Sequence, residues 1–153
     1  MEIKDVTEAK EMAMLSKPLL DIHVENHPLI FKPFDENAVV GHFEQCMARP
    51  EYIHLGVYEG DDIIGYLQAE IKQIPGSVYV YPMMHAHIHQ MYVKTDYRGK
   101  GYGKMMIDEI KRRAKKLGMS RIDLAIWEMD IGSVDFYASC GFTTDQTHMY
   151  INI

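Results

Sequence analysis

Residues 85–93, HAHIHQMYV, carry histidine at every second position, and KTDYRGKGYGKMM follows with three glycines at alternate positions. Strand side chains alternate between faces, so His85, His87 and His89 are expected on one face. Imidazole can ligate a metal, or take a proton near neutral pH. Residues i and i+4 of an extended strand lie roughly 13 Å apart, whereas Zn–N bonds are about 2 Å. One strand therefore cannot close all three rings on one ion. A partner strand is needed, with His54 as the one candidate the sequence offers, and no metal is expected.

The glycine segment RGKGYGK joins a strand to a helix. Glycine admits backbone conformations and close approaches barred to other residues. A helix N-terminus adds unpaired N–H groups and partial positive charge, so the segment reads as a phosphate or pyrophosphate cradle. A Walker loop needs Ser or Thr where Met105 stands, and its first glycine falls on Arg98. The dinucleotide fingerprint needs glycine where Lys104 stands. The pattern present is Arg-x-x-Gly-x-Gly: Arg98, Gly101 and Gly103.

On MYVKTDYRGKGYGKMM and on DIGSVDFYASCGF, the chain resembles the GCN5-related N-acetyltransferases. The resemblance implies a mixed, mostly antiparallel central sheet with helices on both faces. It also implies acetyl-coenzyme A (acetyl-CoA) as co-substrate. Backbone groups of Met91, Tyr92 and Val93 would then bind the pantetheine arm. The amides of Arg98, Gly99, Lys100, Gly101, Tyr102, Gly103 and Lys104 would wrap the pyrophosphate. Tyr137 would contact the cofactor and protonate the leaving thiolate. His89 would be the base that frees the amine, with Glu128 or a water chain as alternatives. Asp130 stands where the family usually has asparagine, and Ser133 where alanine is common. Ionised aspartate accepts hydrogen bonds without donating. In HVENHPLIFKPFD, the resemblance implies an acceptor-pocket wall that includes His23, Glu25, His27, Phe31 and Phe34.

Several elements must position these residues. Asp5 with Glu8 reads as a capping signal for a helix to about Ser16, and Pro18 as the start of a second helix. Asp35 caps a third, with Val39, Val40, Phe43 and Met47 at helical spacing. EGDD reads as a hairpin turn. SVYVY and HAHIHQMYV extend the sheet. A helix follows, with Met106, Ile107, Ile110, Ala114 and Leu117 as one stripe and Gly118 ending it. RIDLAIW is expected as a strand with Ile122, Leu124 and Ile126 on one face, SVDFYASCG as a helix ending near Gly141, and HMYINI as a last strand. The class is α/β with a mixed sheet.

The 153 residues suit one domain, residues 1–153. With 47% hydrophobic and 25% charged residues, the composition is that of an ordinary globular protein. The N-terminus is charged, not a signal peptide, and no apolar run reaches membrane-spanning length. Cys46 and Cys140 lack metal or redox spacing and fit a reducing cytoplasm. A net charge of −6 speaks against nucleic acid and for a cationic substrate. The expected activity is acetyl transfer to a primary amine of a small molecule or protein, by direct attack in a ternary complex. A non-catalytic acyl-CoA sensor is the alternative. Cys140 has no evident histidine partner to make it a nucleophile. No nucleic-acid or membrane partner is expected, and a homodimer is compatible with the composition.

Overall fold

The computed structural model describes residues 2–127 and 131–153. Five strands lie in chain order across one sheet: β1 (Glu2–Asp5), β2 (Tyr52–Glu59), β3 (Asp62–Ile74), β4 (Met83–Val93) and β5 (Ile122–Leu124). The first four pair antiparallel, and β5 joins β4 in parallel. Helices α1 (Ala9–Asn26) and α2 (Glu36–Met47) cover one face; α3 (Tyr102–Lys116) and α4 (Ile131–Ser139) pack on the other. The expected mixed, mostly antiparallel α/β fold is present.

Alternation along the strands supplies both cores. Tyr66 joins Met12, Ala13 and Phe43 on the α1–α2 face, while its neighbour Leu67 joins Met106, Ile107 and Ile110 on the α3 face. Ile107 and Ile110 are fully buried. Truncating either to alanine is expected to cost about 2–5 kcal/mol.

The hairpin turn is where EGDD places it, with Gly60 at φ 63° and Glu59 paired to Asp62. Asp35 caps α2 by accepting the Ala38 amide at 2.9 Å. Gly118, at φ 77°, ends α3, but Leu117 is half exposed and stands outside the buried stripe.

Five readings need correction. Residues 2–5 are strand, not helix N-terminus, because Ile3 pairs with Val57 and packs on the core. Glu8, not Asp5, precedes α1. Helix α1 also runs straight through Pro18 as one helix. Proline removes one amide bond there, and burial of Met12, Ala13 and Leu15 on the sheet outweighs the loss. SVYVY is an exposed loop between Pro75 and Pro82, folded back on itself by Ser77, whose Oγ accepts the Tyr79 and Val80 amides. β5 stops at Leu124, and residues 142–153 form no strand; Met149, Tyr150 and Ile151 are exposed. β propensity without a neighbouring strand to pair does not make a sheet.

One irregularity governs the site. In the β3–β4 register, Gln68 faces Gln90 and the next residue, Ala69, faces Ile88. His89 is the extra residue of a β-bulge. The bulge resets the alternation. Met91 and Val93 pack on the same core as Ile88, whereas Gln90 and Tyr92 turn to the α1–α2 face, where the Tyr66 hydroxyl donates to Gln90 Oε1 at 2.6 Å.

Candidate functional site

β4 and β5 are paired for only three rungs, Ala86–Ile122, His87–Asp123 and Ile88–Leu124. Beyond Leu124 no described strand accompanies β4 on that side, while β4 continues to Val93. The backbone edge of residues 89–93 is thus open where the sheet parts.

The glycine loop follows at once. A turn at Thr95–Tyr97 leads to Gly99 and Gly101, with φ of 74° and 87°. A side chain at either would meet open space, so conformation, not crowding, demands glycine there. Gly101 is the N-cap of α3, and no side chain caps it. The first i→i−4 bond is Met105 N–H to Gly101 O at 3.0 Å. The amides of Tyr102, Gly103 and Lys104 therefore precede the helical ladder, at the positive end of the helix dipole. This arrangement can hold a phosphate.

Side chains around the loop mostly hold it in place. Arg98 Nε donates to the Val93 carbonyl at 3.0 Å, and its guanidinium lies 5.3 Å from the Tyr92 ring centre. Lys100 lies over Tyr97, Lys104 pairs with Asp108 at 2.7 Å, and the buried Tyr102 donates to Glu59. Gly103 differs from the other two glycines: a Cβ there would sit 3.0 Å from Phe136 and 3.8 Å from Met91. It permits close packing of α3, α4 and β4. Tyr137, half-buried beside Phe136 at 5.1 Å between ring centres, borders the core that includes Met91 and Leu124. Ser133 is half-buried on α4. Asp130 and Glu128 lie outside the described residues.

The three histidines divide. His89 Nε2 is 2.8 Å from Glu70 Oε2, and its ring stacks on Tyr52 at 5.9 Å. Burial holds its pKa below the ordinary 6.5, while the Glu70 hydrogen bond pulls it up. A neutral imidazole held by a carboxylate can accept a proton. His85 and His87 both point to Asp123 instead. His54, the sequence-based choice for a partner ligand, is occupied elsewhere: it meets Gln68 at 3.4 Å and the edge of Phe43.

An aromatic group gathers at the end of α1. His23 stacks on Phe31 at 4.7 Å, and Trp127 contacts His27 at 4.8 Å and Phe31 at 5.0 Å. It joins the end of α1 to the chain leaving β5. Glu25 is exposed, and Phe34 lies under Lys17 instead. Glu70, Asp123 and Trp127 were not singled out from sequence. The first two face the histidines across strand registers that are not legible in the linear chain. Trp127 had the signal of being the lone tryptophan, placed at a strand end.

An acetyltransferase (GNAT) family model matches residues 17–142. An L-ornithine N5-acetyltransferase of Arabidopsis thaliana is 27% identical over 55 residues, 36% of this chain and 24% of that protein. The chain spans about a quarter of the length of the curated relatives it matches. Among solved structures, a tetramutant of the BH1408 protein from Bacillus halodurans superposes with a TM-score of 0.93 at 20% identity, covering 100% of both chains. An aminoglycoside N-acetyltransferase, AAC(6')-Iy in complex with CoA, gives 0.80 at 14% identity, covering 99% of this chain and 93% of that one. These two likenesses concern the fold.

Proposed function

The chain belongs to the acetyltransferase (GNAT) family, and on that premise we propose that residues 1–153 form one acyl-CoA-dependent N-acetyltransferase domain acting on a primary amine. The observation that carries this reading is the parting of β4 from β5 directly beside a helix N-terminus that no side chain caps. An extended thioester carrier with a pyrophosphate needs a free strand edge and an anion cradle in that order. The CoA complex of the similar aminoglycoside acetyltransferase supports the same ligand class here.

Acetyl-CoA supplies an activated thioester carbonyl. The backbones of Met91, Tyr92 and Val93 align the pantetheine arm along β4. The amides from Arg98 to Lys104 donate hydrogen bonds to the pyrophosphate, with Gly99 and Gly101 allowing the loop to curl. Ser133, on α4, and Asp130 are assigned to cofactor binding on the motif resemblance alone. The amine enters past His23, His27, Phe31 and Trp127. Aromatic faces attract a cationic amine before it loses its proton. His89 takes that proton, and the neutral nitrogen attacks the carbonyl carbon. The C–N bond forms, the C–S bond breaks, Tyr137 gives its hydroxyl proton to the departing sulfur, and the second proton, shed by the acetylated nitrogen, returns to the phenolate by way of solvent. No covalent enzyme intermediate is required. The ornithine relative and the aminoglycoside enzyme both suggest a small-molecule amine as acceptor.

Calorimetric titration with acetyl-CoA, followed by an amine screen read by thiol release, tests this. Binding lost on Gly101→Trp and turnover with an amine support it. Binding without turnover of any small amine or protein substrate leaves an acyl-CoA sensor. No binding sinks both.

A further inference from the structure

We propose that His85, His87 and Asp123 form a site for a divalent transition-metal ion of the zinc class, tying β5 to β4. The three offer one ligand atom each, all within 4.8 Å of one another. His85 Nε2 lies 3.2 Å from Asp123 Oδ2. Ligands of a tetrahedral zinc ion at about 2 Å are themselves about 3.3 Å apart, so this pair already has metal-ligand spacing. His87 Nδ1 is 2.6 Å from Asp123 Oδ1, a hydrogen-bond length. An ion replaces that shared proton, and the two atoms need separate by less than about 1 Å.

The geometry overcomes the obstacle posed by three histidines on one strand. Only two are used, at i and i+2 on one face, and the third ligand stands on β5 in direct register with His87. Two imidazoles and one carboxylate suit zinc, cobalt or nickel over magnesium or calcium. His85 is buried, and its other nitrogen, Nδ1, has no hydrogen-bond partner among the described residues. Asp123 is thus the polar contact that orients this ring. His85 and His87 line an open groove of about 750 Å³, shared with Glu51, Glu70 and Lys72, which gives an ion a route in. Arg121 competes for the carboxylate: its Nε lies 3.6 Å from Asp123 Oδ2. Arg121 is partly exposed and also pairs with Asp145, so it can move aside. The ion clamps the last rungs before the sheet parts and so sets the mouth of the open edge. It is structural, and its binding needs no acetyl-CoA.

The test uses tag-free, chelator-stripped protein dialysed against Zn²⁺ or Co²⁺, with metal analysis and thermal unfolding. One ion per chain, a raised melting temperature reversed by chelator, and visible cobalt absorption are expected. His87→Gln and Asp123→Asn, checked as folded by circular dichroism, weaken binding at least about 10-fold; His54→Gln does not. No uptake at about 100 μM free metal, or uptake undiminished in both variants, overturns the site and leaves a hydrogen-bonded trio. Neither result bears on acetyl-CoA binding, so this proposal fails separately from the acetyltransferase reading.

Discussion

His89 and Glu70 are joined across β4 and β3 at 2.8 Å, at the one residue that the β4 bulge leaves without a register partner. Bulges re-aim side chains, and this one presents a titratable ring at the point where β4 loses its β5 neighbour. Burial lowers the His89 pKa and Glu70 raises it, with burial the larger effect.

A pH profile follows. His89 is neutral above its folded pKa, so kcat/KM should fall as pH drops through a value below 6.5. Glu70→Gln removes the carboxylate that supports the proton and should move this limb to still lower pH. His89→Ala should remove the limb and lower the rate about 10²–10⁴-fold. The same shift affects stability: the contribution of neutral His89 is full above 6.5 and is lost as pH falls to the folded value. An acid limb that ignores both substitutions places the base elsewhere.

Tyr137→Phe keeps the ring contacts with Phe136 and Phe142 and deletes only the hydroxyl. Turnover should drop about 10²-fold or more, with acetyl-CoA affinity nearly unchanged. A parallel loss of affinity would mean that the hydroxyl binds instead of donating.

The three loop glycines should respond differently. Gly99→Ala and Gly101→Ala force a side chain into positive φ, at roughly 1–2 kcal/mol each, and should weaken acetyl-CoA binding more than they lower the melting temperature. Gly103→Ala puts a methyl group against Phe136. It should destabilise the fold by about 1–3 kcal/mol, and Phe136→Leu should relieve the effect. Calorimetry and thermal unfolding together separate the two patterns.

Trp127→Ala should raise KM for the amine about 5-fold or more, through lost aromatic contact, and leave acetyl-CoA binding intact. Equal effects on both substrates would show that Trp127 only supports the chain leaving β5.

Glu109 links to Arg112 and Arg113, and Arg113 in turn reaches Asp5 of β1 at 2.5 Å. The Arg112 and Arg113 hydrogen bonds lower the Glu109 pKa to about 2. A lowered carboxylate pKa stabilises the fold above about 4.5, and this contribution is lost as pH falls towards 2. It amounts to at most about 3 kcal/mol before screening at the exposed Arg112. Glu109→Gln should shift acid unfolding to higher pH, read by circular dichroism.

Local chemistry made much of the molecule legible. The α3 stripe, the Gly118 stop, the Asp35 cap and the EGDD turn each rest on contacts within a few residues, so residue type and spacing suffice. The glycine loop was readable for the same reason: glycine admits the positive φ that Gly99 and Gly101 take, which other residues rarely adopt. The motif resemblance then supplied the expected ligand class and the expected role of Tyr137.

What needed the tertiary structure is whatever depends on a neighbour distant in sequence. Ile3 is strand because β2 accepts it, and the similarly strand-prone SVYVY and HMYINI are not because no strand pairs them. Alternation sets which way His85 and His87 point, but only the register of β5 puts Asp123 between them. The bulge at His89 is likewise invisible in HAHIHQMYV, since it is a mismatch between two strands and not a property of either. Side-chain type and local backbone preference are written in the linear chain; pairing is a free-energy difference between whole arrangements, and it exists only once the sheet has formed.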